Sequence, residues 1–399
     1  MTKPRLTLRL GEQLLEEWTR AEITRDLEEI SGGFRIEVLD LARTAAALPA
    51  WWRPDLVRGP ILPGERVTLA LDGEVVLLGW LDEVEVNYGP DKLSVTLVGR
   101  DLVGDLVDCA AAPEGPAEYL NLTLTEICAR LCAPFGIEVT ADVDVGAPFP
   151  RFGIEVGETA MSAIEKGCRQ RGVLAVSDGV GGLRLTRGGR NPAPTPLVFG
   201  DNILTMDATF DHAERFSAYI VKGQAQRSGG VVLDGVAPVL LPGPTPGARP
   251  PPTSPAGPRP SVVMTGRATD PAVRRHRPTV SLAKTQSGGA SVQEQADWRM
   301  RTARARSESL RAVVADVRAG EDARLWRINE RVLVDDPLSG ASHELLVAAL
   351  TWRLGPDGTR TELRLCGPEA FDILPEPEPR TTRAATPRRL DGTATELRP

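Results

Sequence analysis

The sequence predicts an α+β protein that is mainly β, with two similar small β-barrel domains flanking a small α+β domain and a long Pro-rich loop inserted in the second barrel region. Three observations carry that reading. Residues 65–101 alternate apolar and polar side chains with period two, broken at Asp72-Gly73 and Gly89-Pro90-Asp91, as half-buried strands joined by tight turns do. The same pattern returns over residues 330–374. Between the two lie segments with helical spacing and then a proline run too dense for regular structure.

Taken in order, "GGFRIEVLD" predicts a strand, and "AALPAWWRPDLVRGPILPG" a Pro- and Trp-containing connection. "ERVTLALDG", "EVVLLGWLDEVEVNYG" and "KLSVTLVGR" then form a meander. Near the other end, Glu65-Arg66-Val67 matches Glu330-Arg331-Val332, and Gly89-Pro90-Asp91 matches Gly355-Pro356-Asp357. "SVTLVGRD" aligns with "ELRLCGPE", setting Gly99 on Gly367. Strand order and turn chemistry repeat, which predicts an internal duplication.

In the middle, "NLTLTEICARLCAPFGIEV" opens on Thr123-x-x-Glu126, a capping box, and stops at Gly136. "GETAMSAIEKGCRQRG" predicts a second helix ended by Gly172, followed by a hairpin through Asp178 to Gly182. The expected boundaries are 1–106 for the first barrel, 107–200 for the middle domain, and 201–225 with 311–374 for the second barrel. Residues 226–310 are expected as a Pro-rich loop followed by an Arg-rich helix, and 375–399 as a tail.

The chain has 399 residues, a formal net charge of −7 and five cysteines. That acidic balance argues against binding nucleic acid through phosphate neutralisation. An odd, sparse set of cysteines (Cys109, Cys128, Cys132, Cys168, Cys366) argues against a disulfide framework and for reduced, buried thiols. No apolar run approaches the roughly 20 residues that cross a bilayer, and the N-terminus lacks the apolar core of a secretory signal. No stable membrane insertion is expected.

Candidate chemistry centres on "GRDLVGDLVDCAA", residues 99–111. Asp101, Asp105 and Asp108 would share one face of a short helix, with Leu102, Val103, Leu106 and Val107 on the apolar face. An amphipathic turn on a core accounts for this better than a carboxylate site. Cys109 reads as a small buried residue, since a nucleophile needs a base and the three histidines (His212, His276, His343) are remote in sequence. No HExxH motif stands in the chain.

Four stretches, in order, resemble the baseplate hub proteins of contractile phage tails, the phage Mu hub and late control protein D group. They are "LLGWLDEVEVNY…LSVTLVGRDLVGDLVDCAA", "GETAMSAIEKGCRQRGVLAVSDGVGGLRLTR", "DWRMRTARARSESLRAVVADVRA" and "LLVAALTWRLGPDGTRTELRLCGPEAF". The resemblance implies two tube-forming barrels per chain and a homotrimer presenting six barrels around a lumen. Such a ring adapts a six-fold tail tube to a three-fold central spike and lets DNA pass without specific binding. It implies a structural protein without cofactor, located in the virion tail baseplate and assembled in the host cytoplasm. Its partners would be the spike, the tail tube or a tube-terminating adaptor, the wedge proteins and a tape-measure protein.

On this reading Gly99, Asp101, Leu102, Asp105, Leu106 and Asp108 form the inter-domain hinge. Trp51 and Trp52 are candidate interface anchors, and Arg299, Arg301, Arg304 and Arg306 candidate inter-subunit ion-pair donors. Three alternatives compete: a type VI secretion-like hub, a tail-tip lytic enzyme, and a peptidoglycan-binding protein suggested by a faint LysM likeness at "EVGETAMSAI". The lytic reading needs two carboxylates facing each other across a cleft, one with a raised pKa, and no such pair is marked in the sequence.

Overall fold

In the computed structural model the described residues are 5–15, 18–38, 61–89, 92–225, 262–283, 291–320 and 324–375. Trp51, Trp52, the proline run and the residues after 375 lie outside them.

The N-terminal part is built from β1 (Leu6–Leu10), β2 (Gln13–Leu15), β3 (Arg20–Asp26), β4 (Gly33–Val38), β5 (Arg66–Leu71), β6 (Glu74–Gly89) and β7 (Lys92–Asp101). Alternation sets the faces: Leu6, Leu8 and Leu10 of β1, Ile23 of β3, Phe34 and Ile36 of β4, and Val67, Leu69 and Leu71 of β5 all turn inward. Asp72 and Gly73 both have positive φ, 50° and 84°, the conformation of a two-residue turn whose twist matches the strands it joins. The strands lie in the order β3-β4-β7-β6-β5-β1-β2.

The middle unit begins with α1 (Gly104–Asp108) and continues through β8 (Glu118–Tyr119), α2 (Leu124–Cys132), β9 (Glu138–Ala141), β10 (Phe152–Gly153), α3 (Ala160–Arg171), β11 (Leu174–Ser177) and β12 (Gly182–Thr186). The capping box forms: Thr123 Oγ1 accepts from the Glu126 amide at 3.3 Å, and Glu126 Oε2 accepts from the Thr123 amide at 2.8 Å. Helix α3 stops at Gly172, left-handed at φ 63°. The two longer helices cover the sheet β11-β12-β9 over a core of Leu124, Ile127, Ile164, Leu183 and Leu185.

After β13 (Asn191–Pro192) and β14 (Leu197–Val198) come β15 (Ile203–Phe210), β16 (Ala218–Ala225), β17 (Val262–Thr269), β18 (Pro278–Leu282) and α4 (Val292–Arg306). The chain then runs through β19 (Glu308–Ala315), β20 (Glu330–Asp336), β21 (Ala341–Gly355) and β22 (Gly358–Cys366). Strands β15-β19-β22-β21-β20 repeat the order β3-β4-β7-β6-β5. Both long hairpins carry a bulge the same distance from their turns, at Leu81/Glu83 and at Val347/Ala349. The duplication therefore exists in strand order and in register.

Three features differ from the sequence expectations. First, β21 pairs with β3, so the two repeats fuse into one sheet of fourteen strands over one shared core. Among the described residues neither repeat closes into a ring of paired strands. Second, β16 leaves the second repeat and joins β17 and β18 in a separate sheet beneath α4. Residues expected as loop and helix thus supply two strands, and a boundary drawn at residue 225 cuts this unit in half. Strand β17 carries a glycine at its centre, β18 is only five residues long and opens on a proline, and the dense prolines before them masked their alternation. Third, the hairpin registers oppose Leu81 to Gly99 and Val347 to Leu365. Leu365, not Gly367, is therefore the counterpart of Gly99. Gly367 is small for another reason, since a Cβ there would lie 2.7 Å from Ala305 Cα on α4.

Candidate assembly interface

At the junction of the first repeat and the middle unit, Asp101 ends β7 and is buried. Its Oδ2 accepts from the Gly32 amide at 2.9 Å and from Ser177 Oγ at 2.6 Å, and its Oδ1 accepts from the Val103 amide at 3.1 Å. Arg25 on β3 donates to the carbonyls of Ser177 and Asp178. Burial pushes the Asp101 carboxyl above the ordinary carboxylate range, against the opposing pull of Ser177, Gly32 and Arg25. One carboxylate thus ties together β4, β7, α1 and the β11–β12 hairpin.

The three aspartates do not share one helix face. Asp101 belongs to a strand, and α1 starts only at Gly104. Asp105 is half-buried in the first turn, and exposed Asp108 accepts from Arg100 Nη2 at 2.6 Å, while Arg100 Nε reaches Asp82 at 3.0 Å. The Arg100 guanidinium holds Asp108 below its ordinary range. Leu102 and Leu106 enter the middle core. At Gly99 a Cβ would stand 2.1 Å from the Trp80 carbonyl oxygen and 2.7 Å from the Phe34 ring, so the strands close only on glycine.

Cys109 is exposed, contrary to expectation, because α1 ends at Asp108 and the chain turns extended there. Cys128, Cys132 and Cys168 are buried, and burial pushes the thiols of Cys132 and Cys168 up to about 12. Among the described residues no group of three or more His, Cys, Asp or Glu is placed to hold a metal. On α4, Arg306 Nε donates to the Ala370 carbonyl at 3.0 Å. Arg301 lies in the field of Asp372 and Arg304 in that of Asp270, while Arg299 is half-buried. At least one of these arginines therefore spends its guanidinium within its own chain.

The joint between repeats shows what a sheet edge of this protein takes. Trp352 stands opposite Ile23, Leu350 opposite Arg25 and Leu354 opposite Ala21, all six on the core face. On the outer face Arg353 pairs with Glu22 at 3.7 Å, and beside the ladder Arg364 binds Asp26 at 2.6 Å and Glu28 at 2.9 Å. Arg318 with Asp72 at 3.5 Å and Arg327 with Glu74 at 3.6 Å tie the first repeat's β5–β6 turn to the second repeat. Where the two repeats meet the middle unit, a cavity of about 340 Å³ is lined by Arg25, Arg184, Trp326 and Trp352 among others.

Among the unpaired strand edges of the described structure, two belong to the long strands of the repeats. Strand β15 pairs only with β19, and its residues from Asp207 to Phe210 are exposed. The turn-proximal part of β6, from Glu83 onward, pairs with β7 on one side only. Sequence reasoning missed Arg25, Gly32 and Ser177, because their partners lie far away in the chain, and it missed both edges, because which strands stay unpaired is set by the pairing of the whole sheet.

Residues 5–101 match the family described as Mu phage baseplate assembly protein GpP-like, N-terminal. Residues 103–187 match baseplate hub protein gp44-like, second domain, and residues 288–374 match Mu phage baseplate assembly protein GpP, fourth domain. The chain is 31% identical over 383 residues to baseplate hub protein gp44 of Escherichia phage Mu, covering 95% of this chain and 91% of that one. The 43 kDa tail protein of prophage MuSo2 from Shewanella oneidensis superimposes with a TM-score of 0.73 at 27% identity, over 92% of this chain and 99% of that one. The tail protein from Neisseria meningitidis MC58 has a TM-score of 0.70 at 22% identity, over 92% and 98% of the two chains, and shares the fold.

Proposed function

The chain belongs to the family of phage Mu baseplate hub proteins, and from that premise we propose that three copies close into a ring at the base of a contractile tail. The ring presents six similar sheets to a six-fold tail tube or its terminating adaptor and repeats three-fold toward a central spike. Its outer face meets wedge proteins, and its lumen lets DNA pass, with a tape-measure protein ahead of it. The chain acts as a structural component of the virion tail, assembled in the host cytoplasm, and needs no cofactor.

The observation that carries this reading is the duplication inside one chain, with the same strand order in both repeats and β3 joined to β21. A chain that holds two similar sheets side by side turns three-fold copy number into six-fold surface repetition. A net charge of −7 supports a lumen that does not retain DNA. The segment from Gly99 to Asp108 serves as a fixed joint between the first repeat and the middle unit, held by Asp101. Light scattering of the purified chain, alone and with the spike protein of the same particle, tests the proposal. A trimer mass in either sample is expected, and a monomer indifferent to the spike overturns it.

A further inference from the structure

The open edges have counterparts inside the same chain, and those counterparts are already paired. Counting back from the two hairpin turns, both bulges fall at the same place, so Val84, Glu85, Val86 and Asn87 of β6 stand where Leu350, Thr351, Trp352 and Arg353 stand in β21. Following the ladders across β7 and β4, and across β22 and β19, places Met206, Asp207, Ala208 and Thr209 of β15 at the positions of Ala21, Glu22, Ile23 and Thr24 of β3. In the second repeat β21 finds β3. The equivalent edge of β6 finds no strand within the described chain, and neither does the equivalent edge of β15.

Burial follows the same division. Trp352 is 3% exposed against β3, whereas Val86 in its place is 44% exposed. Ile23 is fully buried, whereas Ala208 in its place is exposed, and next to it Phe210 is 56% exposed. Val84 and Met206 already pack at the rim of the shared core. An apolar edge of this length left open is a template for another strand.

We infer that β15 of one copy pairs antiparallel with the turn-proximal half of β6 of the next copy, in the register that β3 and β21 use within the chain. This inference rests on the ring reading and specifies how its copies meet. Ala208 then stands opposite Val86, Phe210 opposite Val84, Thr209 opposite Glu85 and Asp207 opposite Asn87. Val86, Ala208, Val84 and Phe210 continue the core face, as Trp352, Ile23 and Leu350 do at the inner joint. On the outer face the Asn87 amide donates toward the Asp207 carboxylate, where Arg353 meets Glu22 at the inner joint. The partner is a second copy of this chain, because the acceptor edge is matched position by position by the chain's own donor edge.

The test is disulfide trapping, since directly opposed residues of antiparallel strands fall within disulfide reach. Val86→Cys and Ala208→Cys are placed on separately tagged full-length chains, both carrying Cys109→Ser to remove the exposed native thiol, and coexpressed with the spike. Mild oxidation is expected to shift the two tags into one covalent dimer, within particles that keep the trimer mass. Both cysteines on one chain should yield covalent trimer with loss of the monomer band. Thr205→Cys in place of Ala208→Cys sits three positions along the ladder and should leave the tags unlinked. A trimer that cross-links equally through Thr205→Cys, or fails to link Val86→Cys to Ala208→Cys, overturns the register while leaving the ring reading intact. A chain that stays monomeric with the spike overturns the ring and this joint together.

Discussion

Gly99 and Asp101 lie two residues apart on one strand and constrain the junction in opposite ways, one by having no side chain and the other by satisfying a buried one. A methyl group on Gly99 would meet the Trp80 carbonyl oxygen and the Phe34 ring. Gly99→Ala should therefore cost at least about 1–3 kcal/mol, read as a lowered urea midpoint. Ser177→Ala removes one of the donors to Asp101 and should cost about 1–3 kcal/mol, because the carboxylate stays buried with one donor fewer. Asp101 also sets a pH dependence. Burial raises it above its ordinary 3.8, so its contribution to stability is fully present below that value and is lost as pH rises through the raised one. In Asp101→Asn the titration is gone, so the stability gap between the native chain and the variant should widen as pH falls from 7 toward 4. Urea midpoints at the two pH values check the sign, and a gap that narrows on acidification contradicts it.

At the scale of elements, the unit formed by β16, β17, β18 and α4 hangs on a buried ion pair between Arg215 and Asp270, with Nε to Oδ2 at 2.6 Å. Burial pushes the Asp270 carboxyl up, but the Arg215 guanidinium and the Ala272 amide outweigh it and hold it below its ordinary range. Asp270→Asn strands a buried guanidinium and should cost about 3–5 kcal/mol near neutral pH. That stability is present above the ordinary 3.8 and fades as pH falls through the depressed value, so the variant should lose less on acidification than the native chain. Thermal melts of both proteins between pH 7 and pH 3 measure the difference. Elements of this kind divide by how local their signal is. The turn at Asp72-Gly73, the capping box at Thr123 and the stop at Gly172 were legible because each rests on residues within one turn of chain. Strands β17 and β18 were not, since their alternation is brief and follows a proline run. The contact of Arg25 with Ser177 and Asp178 was illegible for a different reason. Its partners lie more than 150 positions away, and no periodicity encodes them.

For the whole molecule, the duplication was legible in its strands and turns, but the fusion of both repeats into one sheet was not, because β3 and β21 are separated by most of the chain. That fusion gives the proposed ring its logic. If the joint within the chain and the joint between chains are built alike, a charge that spoils the outer one should dissolve the ring without unfolding the repeats. Val86 is the position to use, since it is exposed in the single chain yet occupies the place of buried Trp352. Val86→Lys forfeits about 1.5 kcal/mol of apolar burial at every joint and brings an ammonium group with no matched acid on the core face. The variant should keep the far-UV spectrum and melting point of the native chain, yet scatter light as a monomer where the native chain with its spike is a trimer. Val156→Lys, at a fully exposed position of the middle unit, should leave the trimer intact. If Val86→Lys remains trimeric, the copies meet elsewhere than on this edge. If both lysine variants dissociate, the trimer is sensitive to charge in general, and the strand-pairing account loses its support.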